Sequence, residues 1–302
     1  MNKVKKNKKG FGIKIGLLLI ITIVLLFVNQ YLLCVPFNFH SSAFLVELLV
    51  FLLSAFICID PNDFSLKKEF RFTSRLIAPA VVMVIFLCLF IIGSPYTGGL
   101  HNYKNQSDIE EIDFSLIPEF DKTQVQLVDK NTAQQLGDRV FGTLGSEEVS
   151  QYRIGDDWVQ ISMNGTLKRV TPIDFDSMVK YFMTKTTPGY VIVDCNTGEA
   201  QLVRSEGMKY MKSAYFSHDL YRHLFFKDPF ALFGSAKFEL DEQGKPYWVT
   251  PVYHVTWVSK TRDVKGVYIT DPVSGESTYY NVDAVPSWVD NVYPVTVIYD
   301  QF

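Results

Sequence analysis

The chain has 302 residues, 48% hydrophobic and 20% charged, with 29 Lys and Arg against 32 Asp and Glu. The first 93 residues hold 10 of the basic and 4 of the acidic side chains, which leaves 19 against 28 in the remainder; an acidic remainder lacks the basic face that phosphate neutralisation needs, so no nucleic-acid partner is expected. Of the four cysteines, Cys34, Cys58, Cys88 and Cys195, only Cys195 lies in that remainder, which excludes an intrachain disulfide framework there.

Three apolar runs come first, at about 15–34, 42–59 and 76–92. Each is long enough to read as a transmembrane helix, since about 20 residues at 1.5 Å rise cross a bilayer core of about 30 Å. Pro79 in the first turn of the third is tolerated there. Lys3, Lys5, Lys6, Lys8, Lys9 and Lys14 precede the first run, Lys67, Lys68, Arg71 and Arg75 lie between the second and third, and 35–41 has no Lys or Arg. The positive-inside rule then predicts a multi-pass cell-membrane protein with a cytoplasmic N-terminus, the lipid bilayer as partner and everything beyond about 94 extracytoplasmic. A cleaved signal peptide is the rival reading, opposed by the two further runs and the lack of a small-x-small cleavage site. A lipidated Cys34 is opposed by Leu33, where a small residue belongs. Asn29, Gln30 and Glu47 fall at similar depth in adjacent runs. They are expected to form an intramembrane polar cluster that locks a helical hairpin, and the alternative is an ion or proton path.

Residues 1–93 thus read as a membrane domain and 94–116 as a glycine-rich, then acidic, linker. Beyond it Asn131 looks like the N-cap of a helix over 132–141. "WVQISMNGTLKRV" alternates around Asn164-Gly165, a hairpin signal. "VQISMNGTLKRVTPI" (159–173) aligns without gaps on "FELDEQGKPYWVTPV" (238–252) at an offset of 79, and "GYVIVDCNTGE" (189–199) on "GVYITDPVSGE" (266–276) at 77. Two motifs in the same order predict tandem α+β repeats, 117–205 and 206–302, each with two antiparallel hairpins. Asp194, Gly198 and Glu199, matched by Asp271, Gly275 and Glu276, are read as structural turn residues: Asp accepts from nearby N–H groups and Gly supplies positive φ. The proline of each Val-Thr-Pro is expected to stop its ladder. Further helices are expected over 175–183 and 214–226, and a strand in "YPVTVIYDQF".

A helix followed by hairpins with a "G…D…tGE" turn is similar to PepSY-type repeats. With "IPEFDK", "PGYVIVD", "MKYMKSAYFSHDLYRHL", "GKPYWVTP" and "VPSWVDNVYP", residues 40–302 resemble a family of uncharacterised polytopic bacterial membrane proteins. The resemblance implies a fold and no reaction, and it makes the chain either a short member or a fragment of a longer repeat protein.

Reactive constellations are weighed against plainer roles. Cys195 would need an activating base, and its place in the second copy is taken by Pro272. His218, Asp219 and His223 suggest a metal, but an i, i+5 pair leaves the imidazoles about 140° apart on a helix, unlike H-E-x-x-H. Asp174 and Asp176 are read as capping the next helix rather than binding calcium. Trp158, Trp248, Trp257 and Trp288 are read chiefly as sheet core. The expected function is a non-catalytic binding or scaffold protein of the bacterial envelope that engages another envelope or membrane protein, with no cofactor and the oligomeric state open. The alternatives are an envelope hydrolase or transferase, which needs His218 or His254 to meet a carboxylate in a cleft, and an accessory subunit of a membrane transport complex.

Overall fold

The computed structural model describes residues 13, 16–18, 20–58, 84, 126–255 and 262–301. The chain divides into two units, one of residues 1–103, 229–232 and 255–261, the other of 104–228, 233–254 and 262–302.

In the first unit residues 20–27 are helical. The helix then widens into a π turn, Val28–Leu32, and breaks at Cys34, whose φ is 50°. Helix α1 (Ser42–Cys58) has 17 residues, a rise of about 26 Å against a bilayer core of about 30 Å. No helix among the described residues is long and apolar enough to cross a membrane. This corrects the expectation of three transmembrane helices, and with it the multi-pass location and the argument for a bilayer partner. Composition alone read 15–34 as one continuous helix, whereas Asn29 and Gln30 lie in the π turn. The run at 76–92 lies outside the described residues except for Val84. Phe37 packs edge-on against Phe44 and tilted against Phe230, and its N–H donates to the Pro229 carbonyl at 2.9 Å, which ties 229–232 to this unit.

The second unit is α+β with two five-stranded antiparallel sheets. The first sheet contains β1 (Tyr152–Ile154), β2 (Val159–Met163), β3 (Thr166–Phe175), β4 (Thr187–Asp194) and β5 (Ala200–Met208). Its order is β1-β3-β4-β5, with β2 also on β3. The second contains β6 (Leu232–Phe233), β7 (Lys237–Leu240), β8 (Pro246–Val255), β9 (Arg262–Thr270) and β10 (Ser277–Asn281), in the order β6-β8-β9-β10 with β7 on β8. The same topology therefore occurs twice. Proline does not end either long strand as expected. On one edge of β3 the partner changes from β2, paired at 166–170, to β1, paired at 173–175. Pro172 sits at that change, and its carbonyl accepts the Gly155 N–H at 2.9 Å; Pro251 likewise accepts from Gly234 at 2.7 Å.

The β2–β3 turn is as short as the sequence suggests: Met163 pairs with Thr166, and Asn164 and Gly165 have φ of 52° and 74°, the signs that a type I′ turn requires. In the second sheet Leu240 pairs with Pro246, so the connecting loop is longer and β7 slips by one residue relative to β2. Ile161 faces Lys168, whereas Glu239, aligned in sequence with Gln160, faces Tyr247, the counterpart of Lys168. A one-residue slip exchanges the two faces of a strand. It places the Glu239 carboxylate, fully buried, where the first sheet has an isoleucine.

Helix α2 (Lys130–Phe141) packs across β4 and β5. Asp129, not Asn131, caps it, accepting the Thr132 N–H at 2.7 Å. Val128 and Ala133 meet Trp158, Ile173, Val191 and Val193 in the core beneath it. After the single turn α3 (Ser146–Val149), helix α4 (Met178–Thr184) starts later than expected. The helix predicted over 214–226 contracts to α5 (Leu220–Lys227), because Phe216–His218 forms a 3-10 turn and Asp219 caps anew through the Arg222 N–H. The predicted C-terminal strand is helix α6 (Val295–Gln301). Pro294, with φ already helical, offers its carbonyl to Val297 and Ile298, and Val297 is buried.

Candidate functional site

The sequence-marked turn residues form the same structure in both sheets. Asp194 Oδ1 accepts the N–H groups of Asn196 and Thr197, both at 2.9 Å; Asp271 Oδ1 accepts those of Val273 and Ser274 at 2.7 and 3.2 Å. Gly198 and Gly275, with φ of 73° and 79°, return their N–H to the Asp194 and Asp271 carbonyls. Glu199 and Glu276 act through the backbone: each carbonyl accepts the N–H of the turn aspartate, and each N–H donates to the hydroxyl of Thr197 or Ser274. The Cys195 carbonyl receives the N–H groups of Leu127 and Val128, and the Pro272 carbonyl those of Lys209 and Tyr210. Hydrogen bonds to its carboxylate, that of Thr197 first, hold Asp194 below the ordinary range. At Asp271 burial works upward and is outweighed by Lys245, paired at 2.8 Å, and by the turn N–H groups. Asp194→Ala is expected to cost about 1–2 kcal/mol for two lost acceptors, and Asp271→Ala more, because Lys245 is stranded too; urea unfolding of the two variants measures the difference.

The other singled-out residues are dispersed. In the first unit the Asn29 carbonyl accepts from Val35, while the Gln30 amide and Glu47 Oε2 are buried without a hydrogen-bond partner; no hydrogen bond joins the three among the described residues. Cys195 is fully buried, and burial pushes its thiol up, away from thiolate character. His218 Nδ1 meets Tyr181 Oη at 3.0 Å, and His223 Nε2 meets the Gly275 carbonyl at 2.8 Å. The Tyr210 ring packs on both imidazoles, 5.2 and 4.6 Å between centroids. Burial first, then neighbouring cations, lowers the pKa of both histidines. Among the described residues no three His, Cys, Asp or Glu side chains are placed to hold a metal.

Two features went unmarked in the sequence. The first is an apolar surface around α4, where Met178, Val179, Phe182 and Met183 are exposed while Tyr181 turns inward. Phe216 packs tilted against Phe182, 5.7 Å between ring centres, and Tyr215 against Tyr181 at 5.6 Å. Phe216 is 41% exposed with φ of 55°, a left-handed conformation costing a phenylalanine roughly 1–2 kcal/mol. Lys180 and Lys185 lie on and just after this helix, and Lys209 acts on His218 beneath it. None of the three makes an ion pair among the described residues.

The second is a cleft lined by Arg153, Gly155, Asp157, Asp174, Lys212 and Trp248, among others. Asp174, expected to cap a helix, lies instead in β3. Ser213 donates to it at 2.8 Å, and burial raises its carboxyl above the ordinary range. Asp157 bridges Lys212 at 3.1 Å and Lys237 at 3.0 Å. Burial lowers Lys212 despite this pairing, whereas at the more open Asp157 the two ammonium groups outweigh burial and hold the carboxyl low. The Lys212 ammonium lies 5.0 Å from the centre of the Trp248 ring.

The chain matches no family model, no curated protein and no solved structure. The likeness to PepSY-type repeats therefore rests on the quoted motifs alone.

Proposed function

We propose that the second unit is a non-catalytic binding module that seats an acidic, apolar segment of a partner protein on the α4–Phe216 surface. The exposed cluster of Met178, Val179, Phe182, Met183, Tyr215 and Phe216 carries this reading, because contiguous apolar patches on a folded surface mark interaction sites. Aromatic and methionine side chains are the types enriched in such contacts. Charge selects the partner's chemistry: Lys180, Lys185 and Lys209, cations without an ion pair among the described residues, lie on the chain's acidic portion, so carboxylates flanking the apolar residues would meet them. Backbone strain at Phe216 is the expected cost of presenting that ring.

The test is fluorescence anisotropy of the full chain with a labelled peptide of alternating Glu, Leu and Phe, against a counterpart with Lys for Glu. Saturable binding of the acidic peptide alone, weakened at least tenfold by F182S/F216S, is expected. Equal binding of both peptides, or indifference to the substitutions, refutes the reading.

A further inference from the structure

The cleft beside Gly155 is open in one sheet and filled in the other. Gly155 and Gly234 hold equivalent places, each donating its N–H to the proline carbonyl of the adjacent long strand. The offset of 79 that relates Pro172 to Pro251 also relates Asp174 to Tyr253. A Cβ built on Gly234 would fall 2.3 Å from the Tyr253 hydroxyl, whereas one on Gly155 would meet Thr171 Oγ1 at 2.8 Å and the Pro172 carbonyl at 2.9 Å, with Asp174 Oδ2 next at 3.3 Å. A tyrosine thus covers the glycine of the second sheet. In the first, the shorter carboxylate borders a cavity of about 220 Å³.

Asp174 is 9% exposed. Its Oδ1 takes the Ser213 hydroxyl, and Ser213 Oγ in turn accepts the Phe175 N–H, so that side is complete. Oδ2 has no donor among the described residues. The nearby cations are engaged elsewhere, Arg153 with Asp156 at 3.0 Å and Lys212 with Asp157 at 3.1 Å. This oxygen of an otherwise buried side chain borders the cavity and is available to accept there.

We propose that this cleft binds a small ligand through a primary ammonium group that donates to Asp174 Oδ2. A carboxylate on the same ligand would face Lys212, whose ammonium has N–H groups beyond the one given to Asp157, so free amino acids fit better than simple amines. The indole of Trp248, whose N–H is already given to the Tyr210 carbonyl at 3.0 Å, supplies an apolar wall.

The test is a ¹H–¹⁵N titration of the full chain, following the Gly155 amide and the Trp248 indole, with ethylamine, glycine and propionate at constant ionic strength and pH 7. Ethylamine and glycine are expected to shift both signals saturably and propionate to leave them unmoved; tighter binding of glycine than of ethylamine assigns amino acids rather than simple amines. Asp174→Tyr, which copies the second sheet, should weaken binding at least tenfold, and Asp174→Asn serves as the second variant should the tyrosine disturb folding. Propionate binding as tightly as ethylamine, full binding by the folded variants, or no saturable shift with any probe overturns the proposal.

Discussion

Replacing Glu239 by Gln is expected to remove a loss of stability of about 3 kcal/mol that this group contributes as pH rises from about 4.5 to 7. The Glu239 carboxylate accepts the N–H groups of Asp290 and Asn291 at 2.8 and 3.1 Å, yet burial outweighs these bonds and pushes its pKa from 4.5 up to about 7. The folded chain therefore holds a proton that the unfolded chain has released across that interval. Stability from this group is fully present below the unfolded pKa and is lost as pH rises through the folded one. At about 1.4 kcal/mol per pH unit the wild-type loss is about 3 kcal/mol. Urea unfolding at pH 4.5 and 8 should show the wild type losing about 3 kcal/mol more than E239Q, a difference from which the opposing contributions of His218 and His223 cancel; an equal change in both would exclude Glu239 as its source. The two N–H groups bond separate oxygens, Oε2 and Oε1, so glutamine keeps an acceptor for one of them and carries no charge to desolvate.

The two turn glycines should respond very differently to alanine. Both have left-handed φ, so each substitution carries a conformational cost of about 1–2 kcal/mol. At Gly198 a Cβ would find its nearest neighbours, on Leu136 and Val128, at 3.8 Å, and nothing need move; at Gly275 it would fall 2.4 Å from the Tyr210 ring. Tyr210 cannot retreat freely, being held between His218 and His223 and by its N–H bond to Pro272. Gly275→Ala is thus expected to cost about 3 kcal/mol or more, since overpacking adds about 1–3 kcal/mol to the strain, against about 1–2 for Gly198→Ala. Equal melting shifts in thermal unfolding would refute the asymmetry.

What could be read from sequence was what six contiguous residues decide. The Asp–Gly–Glu turns were legible because their bonds close within the loop and recur at a fixed offset. Glu239 was not, because its burial follows from a longer hairpin loop that slips β7 by one residue, a shift a gapless alignment conceals. The Asp174 cleft depends on Ser213 and Lys212, nearly forty residues away in the chain, and on the tyrosine that fills the equivalent place. The helical runs were misjudged because apolar composition does not register a π turn at Asn29 and Gln30 or a break at Cys34. Alternating β-branched residues likewise suggested a strand in 293–302, where Pro294 starts a helix instead.

The carbonyls of Cys195 and Pro272 act as clasps. Each gathers two N–H groups from the stretch that precedes its own sheet, so the backbone closes into one ring over 127–195 and another over 209–272, with β5 running between them. An oxygen that every residue possesses does the fastening, which is why cysteine and proline serve equally at the two positions. Joining ends some sixty to seventy residues apart costs about 4 kcal/mol of chain entropy per ring, returned only once the intervening strands are in place. Closure is therefore a late event in folding, and what the turn sequence encodes is a latch that holds only after the ring behind it has formed.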